Sequence, residues 1–298
     1  MTDTQQLNDA LAANFMLVDL DIRSWSGNKT DREVSSEIIA ARGASRDSGK
    51  FVKYLFATAD TELQTVQRCG RAIREYVRQN SAPWQGEYRL LAATRAIEFL
   101  TALNGLKQDY DNAVSALAAV WDQRVAQAIQ SLNGLANGAD YPSSSEVPKL
   151  FTMSIDLRPV PSEKDFSRIN LPSQVIEALG QRHATMLETQ MAGVHADLKK
   201  GLLTTVERMA AQLGKAGAGE KTRLCDSLVT NLQKQVDLLR SMNAAGKPEL
   251  DALASKIEAQ LLAAPVDTYR NSRSKAAEVA EAAKALAVEA AMAEVWQL

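Results

Sequence analysis

Aromatic side chains are scarce in this chain of 298 residues, of which only 5% are aromatic. Alanine is frequent, and a composition rich in alanine and poor in aromatic residues favours helices over strands. Hydrophobic residues still make up 46% of the chain, and a chain of about 300 residues buries about three quarters of its unfolded surface. We therefore expect one or two domains with a real core and a mainly α-helical fold.

Side chains typical of catalytic sites are also few, with two histidines and two cysteines. Cys69 and Cys225 lie far apart in the sequence, a spacing that suggests neither a zinc site nor a disulfide framework. His183 and His195 project about 120° apart on one helix, so they cannot readily share a ligand. No G-x-S-x-G nucleophile motif occurs. The sequence predicts no enzyme activity, no cofactor and no metal site.

Long hydrophobic runs are absent as well. No window approaches the ~18 consecutive apolar residues of a membrane-spanning helix. The start of the chain, MTDTQQLNDALAANF, lacks the basic and apolar regions of a secretory signal. We expect a cytoplasmic protein without membrane contact. The net charge of -2 predicts neither strong nucleic-acid binding nor disorder. The distribution of charged residues along the chain is therefore more informative than the total.

The segment LGKAGAGEKTRL, residues 213–224, is the stretch most similar to a nucleotide-binding loop. That loop needs G-x-x-x-x-G-K-[ST] after a buried strand. Gly214 and Gly219 have the required separation, but Glu220 occupies the lysine position. Lys221 and Thr222 each come one residue late, and the preceding pattern is helical. We predict a turn that joins two helices.

Alternation of apolar and polar residues predicts two strands, at 15–23 and 151–158, that pair with each other. Between them the helical period predicts three helices, at about 63–77, 91–100 and 110–132. A two-stranded ribbon is only marginally stable alone, so we expect helices to cover it.

From residue 173 the helical pattern becomes long and regular. The predicted helices are 173–213, 224–239, 250–261 and 271–296. Short connections between helices make antiparallel neighbours. The predicted fold is mainly α: a small strand-plus-helices N-terminal unit (1–165) with a short antiparallel two-stranded ribbon, followed by an extended helical hairpin or bundle (166–298).

The string DLDIRSWSG, residues 19–27, ends the first predicted strand with a tryptophan, a serine and a glycine. Trp25 has a large ring with one polar N–H, which suits either an anchor in the core or a contact with a partner. Ser26 and Gly27 complete this candidate partner-binding site. Core anchoring is the commoner role of such a tryptophan.

At this string a resemblance to a known family begins. It is carried by the strand that ends in W-S-G, the helical middle, the second strand leading into RPVP at 158–161, and the segments DSLVTNLQKQVDLLRSMN (226–243) and PELDALASKIEAQL (248–261). Together these resemble the domain-of-unknown-function family 3150 of bacteriophages and integrative mobile elements. The resemblance covers most of the chain and has no catalytic signature. It implies a non-enzymatic protein of the bacterial cytoplasm, with phage proteins or a AAA+ ATPase as partners, because members are often encoded beside such ATPases and recombination genes.

Four arginines are grouped in RCGRAIREYVR: Arg68, Arg71, Arg74 and Arg78. At 100° per residue they occupy an arc of roughly 120° on the first predicted helix. The window 42–95 contains ten Lys or Arg against five Asp or Glu, a local charge of +5. Such a face could bind the phosphates of a nucleic acid. Two lysines that precede it in the sequence, Lys50 and Lys53, are candidates to add positive charge. A solvated helix face is the alternative.

Two functions remain open from the sequence. The first is a helical interaction or assembly protein of a phage or mobile element, with coiled-coil packing, self-association and an adaptor role for a AAA+ ATPase as its specific forms. The alternative is a nucleic-acid-binding accessory protein in phage DNA replication or recombination.

Overall fold

Helices make up most of the computed structural model, which describes residues 3–56, 61–162, 165, 170–243, 246–293 and 296. The helices are α1 Asp3–Asn14, α2 Arg32–Ala41, α3 Thr61–Asn80, α4 Ala96–Leu132, α5 Val147–Leu150, α6 Ser173–Gly217, α7 Ser227–Ser241, α8 Pro248–Leu261, α9 Val266–Asn271 and α10 Arg273–Met292. The strands are β1 Phe15–Arg23, β2 Asn28–Asp31, β3 Phe51–Tyr54, β4 Ala82–Pro83, β5 Arg89–Ala92 and β6 Thr152–Pro159. None of these helices is long and apolar enough to cross a membrane.

The predicted fold class is confirmed, and the two predicted strands, β1 and β6, are neighbours in a sheet. That sheet has four strands in the order β4-β5-β1-β6, and β5 runs antiparallel to β1. A separate two-stranded antiparallel sheet joins β2 to β3. The sequence pattern missed β2 to β5 because each has only two to four residues, too few for a clear period.

The first part of the second predicted helix is wrong, whereas residues 96–100 are helical as predicted. Leu91 belongs to β5, where it pairs with Met16 of β1 and is fully buried. After a 3-10 turn at Ala93–Arg95, α4 begins at Ala96 and runs without interruption through the end of the second predicted helix and through the third. Its buried residues, at spacings of mostly three and four, are Phe99, Leu103, Tyr110, Ala113, Val114, Leu117, Trp121 and Ala128. Residues 89–92 therefore form a strand because their backbone pairs with β1, an interaction that periodicity does not detect.

The chain divides into two compact units, and each unit combines separated segments. Unit 1 consists of Met1–Asp19, Tyr76–Leu100 and Asp156–Leu298, and unit 2 of Leu20–Glu75 and Thr101–Ile155. The domain boundary predicted near residue 165 stays a prediction until truncation tests it.

Unit 1 is organised around the 45-residue helix α6. Helix α10 packs along α6, α7 contacts both α6 and α8, and α8 also contacts α10. Apolar residues of the regular helical pattern are buried along α6, with Leu187, Met191 and Leu213 at most 1% exposed. Helix α1 and strand β4 also contact α6. The second half of the chain is thus the helical bundle expected from its 3.6-residue period.

Unit 2 is built around a cluster of four aromatic rings. Trp25 lies 5.3 Å from Trp121 and 5.5 Å from Phe56, measured between ring centroids, and Tyr141 lies 5.9 Å from Phe56. Two polar groups of the cluster are satisfied by the backbone: Trp121 Nε1 donates to Pro142 O at 2.9 Å and Tyr141 OH to Leu55 O at 2.7 Å. Buried tryptophan and tyrosine need such acceptors, so the cluster is a well-satisfied core.

Candidate interaction surfaces

In the candidate partner-binding segment, Trp25 and Gly27 pack within unit 2, whereas Ser26 lies at the surface. The Trp25 ring is half-buried in the aromatic cluster, and Gly27 O accepts a hydrogen bond from Leu55 N at 2.7 Å. Gly27 has φ of +71°, and a Cβ there would lie 3.0 Å from a methyl group of Leu63. Ser26 is exposed, and its Oγ accepts from the Asn28 backbone N–H at 3.3 Å. Of the two roles considered for Trp25, the observed packing matches the core anchor.

The four arginines of the candidate nucleic-acid face, Arg68, Arg71, Arg74 and Arg78, all lie on α3 and are all exposed. Arg74 donates from Nη2 to the Ile22 carbonyl at 2.8 Å, so part of its hydrogen-bonding capacity is used within unit 2. Among the residues that the structure describes, Arg68 makes one long contact, from its Nη2 to Thr65 Oγ1 at 3.5 Å. Arg71 has no ion pair with any residue that the structure describes. Arg78 belongs to the segment assigned to unit 1.

Lys53 is not part of an exposed basic face, because its side chain is only 6% exposed. Its ammonium group donates to Asp31 at 3.0 Å, to the Leu135 carbonyl at 3.2 Å, and pairs with Asp140 at 2.7 Å. Asp140 is also paired with Lys29. Three acceptors use all three N–H groups of a lysine. Lys53 therefore does not belong to the candidate nucleic-acid face. We call Asp31, Lys53 and Asp140 the buried ion cluster, and Lys29, which is 51% exposed, pairs with it from the surface.

The charges of the buried ion cluster stabilise one another. The hydrogen bond to Asp140 raises the pKa of Lys53, and the hydrogen bond from Lys53 lowers the pKa of Asp31. Burial alone would raise the pKa of Asp140, but hydrogen bonds from Lys29 and Lys53 bring it below its ordinary value. Asp31, Lys53 and Asp140 are therefore charged at neutral pH, and the cluster joins the β2–β3 sheet to residues 135–140.

A groove beside α2 was missed by the sequence reasoning. It has a volume of about 300 Å³, and its apolar lining includes Ile38, Ile39 and Phe51. Arg42 and Lys50 also line it, and both are exposed. Thus Lys50, one of the predicted basic candidates, lies here. The available signal was the string EVSSEIIAAR, in which Ile38 and Ile39 lie on the same helix face as Ser35 and Arg42.

Helix α2 contributes no residue to the core, although it is amphipathic. Every residue of α2 is at least partly exposed, and Ile38 is 47% exposed. The helix is nevertheless well anchored: Asp31 caps its start by accepting from Val34 N at 3.2 Å, and Ser35 Oγ accepts from Phe51 N at 2.9 Å. Because α2 is held in place while its apolar face is uncovered, that face can pack against a binding partner.

The two histidines lie in α6, and the glycine-rich segment lies at the end of α6 and in the connection that follows it. In the part of the chain that the structure describes, no group of three or more His, Cys, Asp or Glu could hold a metal ion. Both His183 and His195 are buried in α6. The segment LGKAGAGEKTRL ends α6 at Gly217 and continues as the connection to α7, as expected of a turn between helices. It follows a helix and not a strand, which is the wrong context for a nucleotide loop.

Comparison with known proteins gives no match, since no protein-family model, curated protein or solved structure matches this chain. The resemblance to the domain-of-unknown-function family 3150 stays an expectation from the sequence.

Proposed function

We propose that this chain is a non-enzymatic interaction or assembly protein whose partner docks in the groove beside α2. The observation that carries the proposal is the uncovered apolar face of α2, which has no buried residue and lines that groove. Binding surfaces gain most from apolar side chains that leave water, and a groove that already exists requires little rearrangement.

The groove also indicates what a partner should look like. Its lining includes the apolar side chains of Ile38, Ile39 and Phe51, and Arg42 and Lys50 supply two positive charges. Complementary charge steers association and selects partners. The expected ligand is a protein segment that inserts one large apolar side chain and carries Asp or Glu beside it.

The biological setting of the proposal comes from the family resemblance. It makes a phage or mobile element the source of the protein, and phage proteins or a AAA+ ATPase the candidate partners. A second copy of the chain is a further candidate, which would make the protein a homo-oligomer.

The test is quantitative capture of partners from cells that carry the native element, with the wild type and two variants as bait. Ile38→Asp places a charge in the groove and is expected to lower capture of the specific partner at least tenfold. Val288→Asp is the matched control, because Val288 is a 61% exposed aliphatic residue on α10. Circular dichroism checks that both variants are folded. A partner captured equally by the wild type and Ile38→Asp would refute docking in this groove.

Nucleic-acid binding is the second candidate function, favoured by the exposed arginines of α3. In this case Arg68→Glu combined with Arg71→Glu should weaken DNA binding for all sequences and reduce the slope of log K against log salt by roughly two units. Arg74 stays unchanged, because it bonds the backbone of Ile22. A double variant with the same charge change on α6, Arg182→Glu with Lys200→Glu, serves as control. If both double variants bind DNA alike, the arginines of α3 are a solvated face.

A further inference from the structure

The loop between α6 and α7 forms one wall of an open pocket in unit 1. The pocket has a volume of about 380 Å³, and its other wall includes Arg270 at the end of α9 and Arg273 at the start of α10. Gly219, Glu220, Thr222 and Arg223 line it from the loop. A volume of this size lies within the roughly 300–1,000 Å³ of small-molecule sites.

Arg270 has a structural role in this pocket. Its Nη1 donates to Asp267 at 2.5 Å, and its Nη2 donates to Asp226 at 3.0 Å and to the Leu224 carbonyl at 2.6 Å. The hydrogen bond to Asp267 raises the pKa of Arg270. These bonds attach the loop to α9, so the pocket wall has a defined position.

Arg223 and Arg273 differ from Arg270, because neither makes an ion pair with a residue that the structure describes. Both are exposed. Three arginines and one glutamate, Glu220, leave the lining with a charge of +2. Arginine presents a planar fork of N–H donors that matches the oxygens of a phosphate group.

The backbone of the loop lies close to Arg273. Gly219 has φ of +79°, and a Cβ there would lie 3.0 Å from Nη1 of Arg273. A side chain at this position would therefore crowd the guanidinium group. Arg273 is the first residue of the 20-residue helix α10, where the positive end of the helix dipole also favours an anion. The hydroxyl group of Thr222 supplies one more donor in the lining.

We propose that this pocket binds the phosphate group of a small molecule through Arg223 and Arg273. The proposal is independent of the groove beside α2, which belongs to the other unit. It also differs from the nucleotide loop that the sequence excludes, because Lys221 does not line the pocket and recognition depends on arginine side chains.

The test is calorimetric titration of the full chain with inorganic phosphate and with pyrophosphate, at low and constant ionic strength. Each lost arginine should weaken binding roughly tenfold or more, since a hydrogen bond to a charged group has that magnitude. The double variant Arg223→Ala with Arg273→Ala should thus bind at least a hundredfold more weakly. Lys221→Ala is the control and should keep the wild-type affinity.

A second variant tests the sign of the electrostatics without removing an arginine. Glu220→Gln removes the one carboxylate of the lining and should bind pyrophosphate more tightly than the wild type. ADP is then titrated to identify the source of the phosphate: tighter binding than pyrophosphate assigns the pocket to nucleotides, and equal or weaker binding assigns it to inorganic phosphates. The proposal is wrong if neither phosphate nor pyrophosphate binds, or if the double arginine variant binds them as the wild type does.

Discussion

Replacement of Lys53 by methionine should destabilise unit 2 while leaving the fold unchanged. Methionine keeps the length of the side chain but removes the ammonium group and its bonds to Asp31, Asp140 and the Leu135 carbonyl. Removal of one partner of a buried ion pair costs about 3–5 kcal/mol, because the other charge stays buried. Asp140 is 1% exposed but keeps its pair with Lys29. We therefore expect the lower end of that range, about 3 kcal/mol.

Urea denaturation followed by tryptophan fluorescence measures this cost. Trp25 and Trp121 report on unit 2 directly, since both lie in its aromatic cluster. The denaturation midpoint should fall while the slope m stays the same, which is the signature of a change in stability alone. Lys50→Met is the matched control: Lys50 is exposed, so its replacement should change the free energy of unfolding by less than about 0.5 kcal/mol.

A cost below about 1 kcal/mol for Lys53→Met would refute this reasoning, because it is the size expected of a solvent-exposed ion pair. In that case Lys53 would be available to bind an anionic partner, as the sequence alone suggested.

Three further predictions concern unit 1 and the domain boundary. Gly217→Ala should lower the free energy of unfolding by about 1–3 kcal/mol through overpacking, because a Cβ there would lie 2.9 Å from Ala277 Cα. Gly193→Ala should raise it by roughly 0.5–1 kcal/mol, because nothing lies within 4 Å of the added Cβ. Thermal melts of the two variants measure the difference. Burial lowers the pKa of His195. Below about pH 6.5 the unfolded chain therefore binds a proton that the folded chain does not, and stability should fall on acidification. Between about pH 5 and pH 8 the melting temperature of His195→Leu should depend less on pH than that of the wild type. A fragment of residues 1–165 lacks α6, which covers part of its core, and should aggregate; a soluble fragment with a cooperative melt would establish the predicted boundary instead.

The long helices could be predicted from the sequence because their signal is local. In α6, Leu187, Met191, Val194 and Leu198 repeat at three and four, and all are buried as that period requires. The alternation in β1 was likewise sufficient to identify a strand. In both cases the pattern of apolar residues within a single helix or strand is enough to identify it.

The candidate sites were less accessible to sequence reasoning, because they depend on residues far apart in the chain. Whether Lys53 is exposed is decided by Asp140 and Leu135, more than 80 positions away. The role of Trp25 is decided by Trp121 in the same way. The arginine pocket combines the α6–α7 loop with α9 and α10, and no local motif unites them. Periodicity describes one element at a time, so it cannot show such combinations.

The interleaving of the two units determines the order in which their parts leave the ribosome. All of unit 2 has been synthesised once residue 155 is added, whereas unit 1 still lacks α6 and α10. Leu11, Phe15 and Leu17, at the beginning of unit 1, belong to the same buried cluster as those helices. At about 5–20 residues per second, the remaining part of the chain takes roughly 7–30 s to synthesise. During that time the first helix and strand of the nascent chain are the segments that a chaperone would have to protect.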